Sequence, residues 1–307
     1  MIHESNQKYL LVIAGPTAVG KTAFAIQLAK HFKTEIVSAD SRQFYKEMSI
    51  GTAKPSHGEL AAVPHHFINS HSIADTITAG DYEKQALALL DNLFKIHDIV
   101  VLVGGSGLFI KAVCEGFDEL PVSDPVVRNR LNKEFSETGI KGLQEQLKTV
   151  DPEYLSLVDS NNPQRIIRAL EVFEITGLPF SVLRKSSVRQ RPFKTVKIGL
   201  NLPREMLYER INSRVDLMLQ QGLLDEVRVL LPFRHLNALN TVGYSELFDF
   251  FDGKTELLSA IELIKQNTRR FAKRQLTWFR KDAGIKWIEA DKSILNYDQW
   301  LNEMSST

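Results

Sequence analysis

One stretch, Ile13 to Ala29 (IAGPTAVGKTAFAIQLA), narrows the possible folds of this 307-residue chain more than any other. Gly15, Pro16, Thr17, Ala18, Val19, Gly20, Lys21 and Thr22 satisfy the pattern G-x-x-x-x-G-K-[ST], with the strand-like KYLLVIAG before them and the helix-like KTAFAIQLAKHF after. The pattern works only at a strand-to-helix turn. The glycines permit a tight backbone, the main-chain N–H groups and the helix N-terminus surround phosphate oxygens, and Lys21 adds a point charge. The Thr22 hydroxyl can ligate Mg²⁺, the cofactor expected here. The predicted fold is therefore α/β: a P-loop-containing parallel sheet flanked by helices.

The rest of the chain supplies the partners of such a sheet. TEIVSAD and DIVVLVGG read as further strands, and DYEKQALALLDNLFKIH as a helix between them. From about Ser123 to Lys185 the pattern is helical, with DPVVRNRLNKEF and PQRIIRALEVFEITG the clearest units. FKTVKIGLNL returns to strand character, and REMLYERINSRVDLMLQQG is a helix that Gly222 should close. The expected organisation is a first part of the core at 1–122, a helical insertion at 123–185, and a second part at 186–307 with a basic helical region.

Composition excludes several classes. The apolar runs YLLVIAG and IVVLVGG are strand-sized, so no membrane span is expected. The segment MIHESNQK lacks a secretory core and no lipidation signal is evident, which points to the cytoplasm. A single cysteine, Cys114, excludes an internal disulfide and a multi-cysteine zinc site. His57, His65, His66 and His71 have no recognised ligand spacing.

The net charge of +1 conceals a concentration of cations. Lys265, Arg269, Arg270, Lys273, Arg274, Arg280 and Lys281 fall in one segment, with no acid from Gln266 to Lys281. Ile264, Phe271 and Trp278, seven residues apart, give this segment an apolar helical face. Such a basic helix suits nucleic acid better than a solvated surface. Arg165 and Arg168 lie about one helical turn apart and could share a phosphate.

The chemistry is less determined. No acid follows IVVLV, where a P-loop NTPase usually completes its Mg²⁺ site; GGSG stands there instead. Asp40, after the strand TEIVSAD, lies where parallel sheets bind ligands, and could act as a base or orient Mg²⁺ through water. Capping a turn is its structural alternative. Ser106 can donate a hydroxyl contact. Arg210 and Arg214, four apart on a helix, can clamp an anionic leaving group or pair with Glu205, Glu209 or Asp216. On these grounds an ATP-binding small-molecule kinase and a nucleotide-gated RNA-binding module both stay open.

Taken together, GPTAVGKT, DSRQFYKEMSIGTAKP, PHHFI, LVGGSGLFIKA, LPVSDP, NPQRIIRALEVFEITG, RINSRVDLMLQQGLLDEV, ALNTVGYSEL and TRRFAKRQLTWFR resemble the bacterial tRNA dimethylallyltransferases. The resemblance runs in order from about residue 12 to 280. It implies a prenyltransferase that takes dimethylallyl diphosphate and modifies the adenosine 3′ to the anticodon. The P-loop would then hold a diphosphate that leaves, rather than a phosphoryl group that is transferred. By motif match Asp40 is the general base, and Ser106, where threonine is commoner, keeps the hydroxyl. Arg214 contacts the diphosphate. The tRNA anticodon stem-loop is implied to meet Asp40, Ser41, Arg42 and Gln43; Gln164, Arg165, Ile166, Ile167 and Arg168; NTVGYS; and Lys273, Arg274, Gln275, Trp278 and Arg280. Ser49 stands where aspartate is common and Phe109 where tyrosine is common. A monomer is expected; a P-loop small-molecule kinase is the leading alternative, and prenylation of free adenine nucleotides the second.

Overall fold

The computed structural model describes residues 7–118, 120–184 and 188–290. The chain opens with β1 (Tyr9–Ala14), α1 (Lys21–Phe32), β2 (Ile36–Ser38), α2 (His57–Ala62), β3 (His65–His66), α3 (Ala79–Leu93), β4 (Ile99–Gly104) and α4 (Gly107–Glu115). Next come α5 (Pro125–Thr138), α6 (Ile140–Val150), α7 (Pro152–Leu157), α8 (Pro163–Thr176) and α9 (Phe180–Leu183). It ends with β5 (Lys194–Asn201), α10 (Arg204–Gln220), α11 (Leu223–Leu230), α12 (Tyr244–Phe251), α13 (Leu257–Phe279) and β6 (Ile285–Glu289). These elements form two compact units, Glu115–Gln190 and the remainder.

The larger unit is built on a sheet of order β3-β2-β4-β1-β5-β6, with all pairings parallel. β1 and β4 pair from Tyr9↔Ile99 to Ala14↔Gly104 and are buried on both faces, hence their continuous apolar runs. Successive side chains of β1 alternate between layers: Leu11 and Ile13 pack with Phe24 and Leu28 of α1, while Leu10 and Val12 pack with Tyr82, Leu90 and Ile110. A third core joins α10 to α13 through Val215, Leu223, Val227, Tyr244, Leu247 and Ile264. Gly222, at φ 100, ends α10 as expected. β3 and β6 are edge strands without a clear sequence signal. One has two residues, and the other mixes Lys286 and Glu289 into an apolar run.

In the smaller unit Asp124 and Asn162 cap α5 and α8 with their side chains, each followed by a proline at the first helical position. Its core comprises Leu131, Leu143, Leu147, Tyr154, Ile166, Ile167, Leu170 and Phe180. Glu171, fully buried, pairs with Arg128 at 2.5 Å and Arg168 at 2.7 Å, and accepts a hydrogen bond from Ser123. The unit is wider than the 123–185 read from helical periodicity, because it starts at the last residue of α4 and runs past α9. The Arg189 amide donates to the Glu115 carbonyl at 2.8 Å. In the larger unit the chain resumes at Arg191, whose guanidinium donates to the carbonyls of Val113 (2.9 Å) and Ala112 (2.7 Å) and pairs with buried Glu83.

Candidate active site at the carboxyl edge of the sheet

The loop after β1 is held open by backbone conformation. Gly15 (φ 146) and Gly20 (φ 105) adopt left-handed torsions, and a Cβ on Gly15 would lie 2.7 Å from the Leu200 carbonyl oxygen. Lys21 donates to the Pro16 carbonyl at 2.8 Å. Desolvation lowers its pKa to about 8, against an upward pull from Asp40; Arg214 adds a further downward push. Arg214 reaches in from α10, its Nη1 3.5 Å from the Thr17 hydroxyl, and Arg210 Nη1 lies 3.4 Å from the Val19 carbonyl.

The ends of β2 and β4 meet beside this loop. Gly104 packs so closely on Ala39 that a Cβ would lie 2.2 Å from the Ala39 carbonyl oxygen. That contact places Asp40 and Ser106 together. Ser106 Oγ accepts from the Ser41 amide at 3.0 Å and donates to Ser41 Oγ at 3.1 Å. Asp40 Oδ1 accepts from the Arg42 amide at 3.1 Å, so the carboxylate is oriented by a turn. Arg42 donates to the carbonyls of Asn237, Ala238 and Asn240, and Gln43 to those of Thr52 and Ala53. Both side chains fasten the surrounding loops.

Two cavities converge on these groups. The larger, about 710 Å³, has Leu108, Phe109, Met218, Val242, Phe271 and Trp278 among its walls. The smaller, about 330 Å³, is lined by Thr22, Lys54 and Glu59. Thr17, Lys21, Asp40 and Arg214 line both. Lys54, lowered to about 8 by burial against an upward pull from Glu226, donates to the Tyr45 carbonyl and to Asn69. An apolar, aromatic chamber and a cationic one thus meet at one carboxylate.

The sequence and the fold both have relatives among known proteins. A family model described as IPP transferase matches residues 43–282. The tRNA dimethylallyltransferase of Christiangramia forsetii is 56% identical over 97% of this chain and 99% of its own. The chain belongs to the tRNA dimethylallyltransferase family. The crystal structure of the full-length tRNA isopentenylpyrophosphate transferase from Bacillus halodurans superposes with a TM-score of 0.71 at 36% identity, covering 97% of this chain and 96% of that one. A eukaryotic dimethylallyltransferase captured acting on tRNA gives a TM-score of 0.78 at 25% identity, over 97% and 79% of the two chains.

Within this transferase-family site the structure brings together Gly15–Thr22, Asp40, Ser41, Arg42, Gln43, Ser106, Arg214, Arg274, Gln275 and Trp278 around the two cavities or their loop. Lys273 and Arg280 are exposed on or just beyond α13. Gln164 and Arg165 are exposed at the start of α8 in the other unit. Four of the expected RNA contacts have structural roles of their own. Ile166 and Ile167 are fully buried in their unit's core and present no side chain to RNA. Arg168 is engaged by Glu171 and the Pro121 carbonyl. Gln275 is buried beneath the helix surface. The apolar face of α13 is also divided: Ile264 is core, whereas Phe271 and Trp278 are 40% and 38% exposed and wall the larger cavity. Periodicity marks apolar positions without separating core from ligand chamber.

Glu226 does not stand out from its neighbours until its partners are seen. Its carboxylate accepts from the amides of Ser49 (2.9 Å), Ile50 (2.8 Å) and Gly51 (3.0 Å) and from the Tyr244 hydroxyl (2.6 Å). It fixes the segment leading to Thr52 and Ala53, which line both cavities. The only available signal was its place in the matching stretch GLLDEV.

Proposed function

We propose that this protein transfers the dimethylallyl group of dimethylallyl diphosphate to the exocyclic amine of the adenosine 3′ to the anticodon in tRNA, releasing diphosphate. The observation that carries the reading is the meeting of the two chambers at Asp40, Lys21 and Arg214. The cationic chamber and loop amides suit a diphosphate, and the aromatic chamber suits a base drawn out of the anticodon loop. The larger chamber is bordered by Arg274 and Trp278 of the basic helix, consistent with an RNA acceptor rather than a free nucleotide.

The residues divide the work. An adenine amine is a weak nucleophile because its lone pair is delocalised into the ring. Asp40 accepts its proton as the new C–N bond forms, an effect of roughly 10²–10⁴-fold. The allylic C–O bond breaks as that bond forms, and the diphosphate takes the electron pair. Lys21, Arg214 and the loop amides stabilise that charge, each lost contact costing about 3 kcal/mol. Ser106 steadies the turn carrying Ser41, next to the base. Thr22 and Asp40 both line the smaller chamber and offer hard oxygen donors that fit Mg²⁺. When bound there, the ion would help neutralise the diphosphate. Among the described residues no cluster of three or more His, Cys, Asp or Glu could hold a metal, so substrate oxygens and water would complete its shell.

Incubation with tRNA and labelled dimethylallyl diphosphate, followed by nucleoside analysis, tests the reading. Label on the adenosine beside the anticodon is expected, with diphosphate released and ATP not consumed. Stoichiometric ADP release would favour the kinase. Transfer to AMP but not to tRNA would favour the free-nucleotide reaction. The cytoplasmic, monomeric state remains part of the proposal; sedimentation of the purified chain checks the monomer.

A further inference from the structure

We infer that Gln275 is a positioning residue for the diphosphate loop and not an RNA contact, although it lies within the basic helix. This rests on the proposed function. The side chain is 7% exposed and points inward from α13. Its Oε1 accepts from the Thr17 amide at 2.8 Å, and its Nε2 donates to the Gly105 carbonyl at 2.9 Å. One amide therefore spans the loop after β1 and the loop after β4. The loops are shaped to receive it: a Cβ on Gly105 would lie 2.3 Å from Gln275 Nε2.

The consequences reach the reacting groups through short covalent paths. Thr17 carries the hydroxyl 3.5 Å from Arg214, and Gly105 immediately precedes Ser106. Holding Thr17 and Gly105 at fixed separation sets the diphosphate grip relative to the turn that orients Asp40. Only a side chain with one acceptor and one donor on the same planar head does this. Glutamine supplies both; a carboxylate lacks the donor, and a methionine has no donor and only a weak acceptor. The Thr17 amide is committed to Gln275, so phosphate is gripped by the remaining loop amides, Lys21 and Arg214. The more exposed neighbours Arg274 and Trp278 are left to meet RNA, so adjacent positions of α13 serve the two substrates.

The test separates the two roles with ligands that need no turnover. Inorganic pyrophosphate and an anticodon stem-loop RNA are titrated separately into wild type, Gln275→Met and Gln275→Glu, and melting temperatures are recorded. Gln275→Met is expected to weaken pyrophosphate binding about tenfold, the loss of two buried hydrogen bonds acting through the loop. Its RNA affinity and salt dependence should stay within about twofold of wild type. Weakened RNA binding with unchanged pyrophosphate binding would make Gln275 an RNA contact. A lowered melting temperature with both affinities unchanged would reduce it to packing. If the methionine variant does not fold, Gln275→Glu decides by the same titrations, because it keeps length and acceptor. The unaltered chain gives a reading free of any variant: hydrogen exchange at the Thr17 amide should be slow before pyrophosphate is added, and fast exchange there overturns the inference. Absence of prenyl transfer by wild type, by contrast, would defeat the functional proposal and not this one.

Discussion

At the scale of single residues the site depends on two groups with opposed charges. Asp40 is both a turn-former, through the Arg42 amide, and the proposed base, so its two roles must be separated by substitution. Asp40→Asn keeps the shape and can still accept from Arg42, but cannot take a proton. It should fold normally while kcat falls by about 10² or more. Retention of more than about a tenth of wild-type kcat would leave Asp40 a capping residue only. Lys21 supplies the pH dependence. Its pKa is lowered to about 8, so it is charged below that pH and loses its charge as pH rises through it. Dimethylallyl diphosphate KM should therefore climb above about pH 8, approaching tenfold per unit, while kcat at saturation changes little because the bound anion restores the proton. Lys21→Met should bind poorly at every pH and lack this rise; a wild-type KM flat to pH 10 would refute the assignment.

Among the elements, the segment Ser49–Gly51 and helix α13 frame the chamber from different directions. Three successive amides aimed at one carboxylate make a backbone nest, here filled by the protein's own Glu226. Gly51 lies against Tyr244, where a Cβ would be 2.6 Å from the ring. In Glu226→Gln the amide group must face at least one of those N–H donors, costing about 2 kcal/mol. Amide exchange at Ile50 and Gly51 should accelerate, and unchanged exchange would show that the nest is not held by this side chain. On α13, replacing Arg274 and Arg280 together with alanine should raise tRNA KM and reduce the slope of log affinity against log salt by about 1 to 2. An unchanged slope would return the helix to an ordinary solvated face. The same elements show what was legible beforehand. β1, β4 and α1 were readable because burial on both faces and an eight-residue loop leave strong local patterns. Asp40, Ser106 and Arg214 stood out as chemistry-bearing residue types near element ends. Glu226 and the inward turn of Gln275 were not readable, since their backbone partners lie 170 to 258 positions away in the chain. The burial of Ile166 and Ile167 was legible in the apolar spacing of α8, but motif matching treats a contiguous segment as one surface.

Over the whole molecule, each compact unit carries its own core and its own electrostatics. In the smaller one, burial would raise the Glu171 pKa, but hydrogen bonds from Arg128, Ser123 and Arg168 overcome it and hold the pKa at about 2, below the usual 4.5. A lowered carboxylate pKa contributes stability that is complete above the unfolded value and lost as pH falls through the folded one. Helical signal from residues 115–190 should thus weaken between about pH 4.5 and 2. Glu171→Gln should flatten that dependence and cost about 3 kcal/mol near neutrality by leaving its arginines without their counter-charge. Acid titration followed by circular dichroism checks both, and identical acid profiles would rule the pair out as the cause. The Arg191 clasp on Val113 and Ala112 has a wider consequence. The chain leaves the sheet-based unit after Cys114 and re-enters it at Arg191, and Arg191 holds those two points of that unit together. Evolution can lengthen, trim or exchange the cassette between them without severing a strand or moving Asp40, and a protein engineer can graft a different one at the same clasp.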